Sequence, residues 1–169
     1  MNVVRLTFLL LLFIAQVEVA SAQLVNEKFC EEVVDLIAAP LGPVHWYRNI
    51  VFNNQCDFEF DIDTKGGIGV MFDLERFEKV SEARREFASF MRLFDSATFR
   101  MKDDEWIVDK DRRRPLSNEF WDDSSFYTGK DGPLVLRKKR TLITIFCDQP
   151  MLCMKFERLL RQNPQYVGF

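Results

Sequence analysis

Apolar spacing in the first third of the chain switches from helical to strand-like. Between Asn26 and Pro40 the residues Phe29, Cys30, Val33, Val34, Leu36 and Ile37 recur at intervals of three and four, marking one buried helix stripe. Asn26 supplies an N-cap and Pro40 a stop, so the spacing predicts a helix over residues 26–38. From Cys56 the period becomes two. Cys56, Phe58, Phe60 and Ile62 then face one way, and Asp57, Glu59, Asp61 and Asp63 face the other. The turn signal Thr64-Lys65-Gly66-Gly67 separates this strand from the alternating Ile68, Val70, Phe72 and Leu74, which completes a predicted hairpin.

A second helix begins at Ser81, with Ala83, Phe87, Phe90, Met91 and Phe94 on one face and Glu82, Arg84, Arg85, Glu86 and Arg92 on the solvated side. Short strands follow over residues 97–101 and 106–108, then a charged connector over 110–115 and a loop over 118–125. Leu134-Val135-Leu136 pairs with the run Leu142 to Phe146 across Arg137-Lys138-Lys139-Arg140, a hairpin tip whose four cations discourage edge pairing. A last helix over 151–162 carries Leu152, Phe156 and Leu159. This order of elements implies an α+β fold, an antiparallel sheet with helices packed on one face.

The first 22 residues carry a different signal. Arg5 precedes an apolar run over residues 6–15, too short to span a bilayer, and Ala20-Ser21-Ala22 offers small residues where a signal peptidase reads. The expectation is a signal peptide cleaved before Gln23. That leaves residues 23–169 as one disulfide-stapled domain, secreted or periplasmic, with no transmembrane segment in the mature chain. All but Phe8 and Phe13 of the seventeen phenylalanines lie beyond the cleavage point, enough apolar mass for a core in a chain of 169 residues. A formal charge of −3 gives no footprint for nucleic acid.

Export changes the meaning of the four cysteines, all of which follow the leader: an even count in an oxidising compartment favours disulfides. Three connectivities are possible. Cys30 lies on the buried stripe of the first helix and Cys56 on the apolar side of the first predicted strand, so a bond between them staples helix to strand. Cys147 and Cys153 then clamp a strand-to-helix corner opened by Pro150. Zinc bound by four thiolates would need paired knuckles that these spacings do not supply.

A Cys in an opening helix (Cys30), followed by Leu41-Gly42 and then by Cys56-Asp57-Phe58 at a strand, resembles small exported bacterial envelope domains of unknown function. The likeness extends to about Phe72 and leaves out Cys147 and Cys153. It implies a noncatalytic exported domain.

Little else in the chain points to chemistry. Asp57, Glu59, Asp61 and Asp63 could collect a hard cation, and the stretch from Asp61 imitates the start of an EF-hand loop, but Lys65 and Phe72 occupy positions that need ligands. The lone His45 lacks a nucleophile or metal-binding partner and reads as a hydrogen-bonding side chain. No serine sits in a nucleophile elbow. Trp46, Tyr47, Trp106, Trp121 and Tyr127 offer themselves for a ligand cleft, or simply for the core. The expectation is therefore an exported binding or interaction domain, not an enzyme, without cofactor, catalytic residue or metal. Its partner, a protein or envelope component, would meet Asp57, Glu59, Asp61 and Asp63 or Arg137, Lys138, Lys139 and Arg140. Two alternatives stand beside it. One is a carrier of an apolar ligand between sheet and helices. The other is a small hydrolase using carboxylates such as Asp103, Asp104, Glu105, Asp122 or Asp123 with His45.

Overall fold

The computed structural model describes residues 25–41, 46–52, 54–61, 69–97, 99–102, 105–108, 113–117, 119–128, 133–147 and 149–168. The leader, His45, Asp63, the Thr64-Lys65-Gly66-Gly67 turn, Asp103 and Asp104 lie outside them. Among the described residues three helices and nine strands follow one another: α1 (Glu27–Ala38), β1 (Trp46–Phe52), β2 (Gln55–Asp61), β3 (Gly69–Arg76), α2 (Val80–Ala97), β4 (Phe99–Lys102), β5 (Glu105–Val108), β6 (Arg113–Arg114), β7 (Asp123–Tyr127), β8 (Pro133–Lys138), β9 (Thr141–Cys147) and α3 (Pro150–Gln162). Seven strands form one antiparallel sheet in the order β1-β2-β3-β9-β8-β7-β6, and β4 pairs with β5 separately. This is the α+β architecture the pattern implies.

Local chemistry accounts for the ends of α1. The Asn26 side chain accepts a hydrogen bond from the Phe29 amide at 2.9 Å, and the helix passes into a single 3-10 turn, Ala39–Leu41, at Pro40. Its stripe of Phe29, Cys30, Val33 and Ile37 is buried against Cys56, Phe58 and Phe60 of β2 and Val70, Phe72 and Leu74 of β3, with Ile143 and Ile145 beyond. The Phe58 and Phe72 rings are stacked, 5.5 Å apart and 14° from parallel. α3 adds Cys153, Phe156 and Leu160 to the same layer.

Both covalent ties lie on this side. Cys30 is bonded to Cys56 and Cys147 to Cys153, with Cα separations of 5.6 and 5.8 Å, within the span a disulfide requires. Each sulfur pair is buried.

α2 departs from the one-face arrangement. Phe94 of α2 meets Phe146 at a ring separation of 5.9 Å, and Arg113 Nη1 donates to Met91 Sδ at 3.6 Å. Phe146 alternates with the core residues Ile145 and Cys147, so it points away from α1 and α3. α2 therefore covers the opposite face, over β8 and β9. An amphipathic stripe fixes that a helix must be half-covered, not which side of a sheet covers it.

Three segments differ from the pattern-based expectation. The first strand is β1, not the one containing Cys56, and a tight turn with Asn54 at φ 69° joins it to β2. The charged connector contributes the edge strand β6, paired with Tyr127 and Phe126. The expected loop over 118–125 gives way at Asp123 to β7.

Candidate functional site

The second face of the sheet divides into two halves. α2 shields the part over β8 and β9, where Val135, Leu142 and Thr144 are buried. Over β2 and β3 the register sets Asp57 opposite Asp73, Glu59 opposite Met71 and Gln55 opposite Glu75. Alternation puts all six on this face. Met71 is 50% exposed. Asp57 and Glu59 are half-buried, on the polar side that the period-two pattern assigns them, while Asp61 occupies the last position of β2.

These acids oppose one another's ionisation. Burial raises the Asp73 carboxyl to about 6; a hydrogen bond from Gln55 Nε2 at 2.9 Å works against this, and the facing Asp57 adds to it. Glu75 is also raised, first by burial and then by Asp73 and by Glu86 of α2. Asp57, Asp73, Glu75 and Glu86, from two strands and a helix, are thus coupled, and with Glu59 on the same face they make one acidic patch. It can attract cations diffusely, but among the described residues no three His, Cys, Asp or Glu side chains are placed to hold a metal ion. The likeness to a calcium loop ends inside β3, where Phe72, at its twelfth position, is part of the core.

The basic tip is a different object from the one its four cations suggest. β8 and β9 are joined by a turn at Lys139 and Arg140, with Lys139 at φ 50°. Arg137 is only 2% exposed and is not available to a partner. Its Nε donates to Asp123 Oδ2 at 2.5 Å, and its Nη1 to Asp122 Oδ2 at 3.3 Å and to the Lys139 carbonyl at 2.9 Å. A guanidinium taken out of water needs such partners. Lys138 is half-buried, with its ammonium 4.9 Å from the centre of the Phe120 ring, hydrogen-bonded to the Phe120 carbonyl and 3.5 Å from Asp122 Oδ1. Lys139 and Arg140 remain at the turn.

Asp122 and Asp123, named above among the carboxylates a hydrolase could use, serve as counter-ions to Arg137. Burial alone would raise Asp122, but the Lys139 amide, donating at 2.6 Å, and the Lys138 and Arg137 charges hold it below the usual carboxylate range. A carboxylate so stabilised in its ionised form is a poor general acid.

Trp121 and Tyr127, offered above for a ligand cleft, are both buried. Trp121 Nε1 donates to Glu157 Oε1 at 2.8 Å, and Arg161 donates to the same oxygen at 3.1 Å. Glu157 is 2% exposed, so these donors satisfy a carboxylate inside the protein. No helix among the described residues is long and apolar enough to cross a membrane.

Comparison with known proteins adds nothing to this geometry. No family model, no curated protein and no solved structure matches the chain.

Proposed function

We propose that this chain is an exported, noncatalytic binding domain that presents the open half of its second sheet face to a cationic protein or envelope partner. The carrying observation is the patch of Asp57, Glu59, Asp73 and Glu75 around the half-exposed Met71, beside the part of the face over β8 and β9 that α2 shields. Charged groups around one apolar residue suit an encounter steered by long-range attraction. Lys139 and Arg140 are a secondary contact at the far end of β8 and β9. The leader-like residues 1–22, the paired sulfurs and the resemblance to exported envelope domains support export.

The carrier alternative is less favoured, because Phe58, Phe60, Phe72 and Phe156 are fully buried between the sheet and the helices where an apolar guest would sit. The hydrolase alternative loses its best-placed acids to Arg137.

The test is capture from native envelope or extracellular fluid on immobilised, oxidised protein at low and high salt. Wild type should retain a basic partner at low salt and release it at high salt, and Asp57→Lys with Glu59→Lys should not retain it. Failure to capture anything at either salt refutes the reading. Intact mass without reduction should give an N-terminus at Gln23, and retention of Met1 on the native protein refutes export.

A further inference from the structure

The two edges of the large sheet are unequal. At one end β6 is two residues long, both arginine and followed by Pro115, and just beyond it the Leu116 amide donates to Ser124 Oγ of β7 at 3.0 Å. Short length, positive charge and proline are ways of closing an edge to further strands. At the other end β1 runs for seven residues, Trp46-Tyr47-Arg48-Asn49-Ile50-Val51-Phe52, with a single charge and no proline. Its inner side pairs with β2 along its whole length, and among the described residues nothing pairs with its outer side. Aromatic and β-branched residues make up five of these seven positions, a composition that favours strand addition.

We propose that β1 pairs with β1 of a second copy of this chain, joining two sheets into one across a two-fold axis at Asn49. The strand is self-complementary in this register. With Asn49 opposite Asn49 of the other copy, Trp46 stands opposite Phe52, Tyr47 opposite Val51, and Arg48 opposite Ile50. No like charges face each other across the seam. Within its own sheet the one charged position of the strand, Arg48, is in register with Glu59. Because the far edge is blunted, the contact closes at two copies rather than growing into a filament. The faces of both copies stay on common sides, which doubles the acidic patch along one surface.

The register makes a test whose sign separates pairing from folding. Ile50 faces Arg48 of the second copy across the seam but faces Asp57 within its own sheet. Ile50→Lys should weaken dimerisation by about 2- to 30-fold, from two like-charge pairs, while favouring the monomer's own strand pair; Ile50→Glu should do the reverse in both respects. Sedimentation of the oxidised protein over a concentration series reads the association, and denaturant unfolding reads the fold. In an independent measurement, Asn49→Cys should give a dimer linked through position 49 on a non-reducing gel, whereas Asp35→Cys on the exposed side of α1 should not. A protein that remains monomeric throughout the series overturns the proposal. So does a dimer that ignores the charge at position 50, or one not linked through position 49, since either would use another surface.

Discussion

Asp73→Asn should make this protein more stable at neutral pH, although it removes a charged side chain and adds no contact. Asp73 lies opposite Asp57, is next to Glu75 in the patch, and has its carboxyl raised to about 6 from an ordinary 3.8. The folded state therefore holds this proton in a pH range where the unfolded chain has lost it. Stability from this group is fully present below about pH 4 and falls as the pH rises to about 6, above which the folded state carries the whole penalty. A difference of that size corresponds to about 3 kcal/mol at most, and the other acids of the patch share part of it. The substitution keeps an oxygen able to accept from Gln55 Nε2, so the hydrogen bond survives while the ionisation goes. Urea unfolding of oxidised wild type and variant at pH 4 and pH 7.5 is the assay. The variant should gain about 1–3 kcal/mol at pH 7.5 and almost nothing at pH 4. Comparing the two proteins at each pH cancels the opposite trend from Asp122, whose carboxyl is lowered. A variant no more stable than wild type at pH 7.5 would refute the argument that burial and Asp57 oppose ionisation there.

Other consequences are open to measurement. Replacing Cys30 and Cys56 together by Ala should cost about 3.5 kcal/mol on the loop-entropy scale, whereas replacing Cys147 and Cys153 should cost only about 2 kcal/mol, because the closed loop is shorter; equal losses in denaturant unfolding would count against that account. Thr141→Val should be neutral or stabilising by up to about 1 kcal/mol, since the Thr141 hydroxyl is fully buried and has no hydrogen-bond partner among the described residues; a loss above about 1 kcal/mol would reveal one. Gly168→Ala should lower the melting temperature. Gly168 has φ 82°, and a Cβ there would come within 2.6 Å of Thr141 Oγ1, so an unchanged melting temperature would show that the C-terminal segment gives way freely. Trypsin should leave the bond after Arg137 intact in the native protein and cut it once the chain is unfolded and reduced. Peptide mapping that found equal cleavage in both states would contradict the burial of that guanidinium.

Elements whose signals are local could be read from the chain alone. Asn26 and Pro40 bracket α1, strict alternation marks β2 and β3, and the two runs flanking Arg137-Lys138-Lys139-Arg140 form β8 and β9. The thiol pairing followed because each cysteine shares the periodicity of its own helix or strand. β1 was missed because Trp46 and Tyr47 suggested a cleft, although Asn53-Asn54 between two strand-like runs is a hairpin signal. β6 escaped because three arginines and a proline mask a strand whose role is to end the sheet, and the start of β7 was hidden in the polar run Asp122-Asp123-Ser124-Ser125. The fate of Arg137 depended on Asp122 and Asp123, which follow a connector with no regular spacing, so no window of neighbouring residues reveals the pairing. Asp73 and Glu75 belong to the acidic patch but were hidden in a run read for its apolar half.

Both sulfur bridges cross the layer between the sheet and the α1–α3 side, and neither reaches α2. The protein is thus riveted on one flank and held by side-chain contacts alone on the other. Under heat, force or denaturant α2 should detach first, and its amides should exchange with solvent before those of α1 while the bridges are intact. Reduction should narrow that gap by loosening the riveted flank.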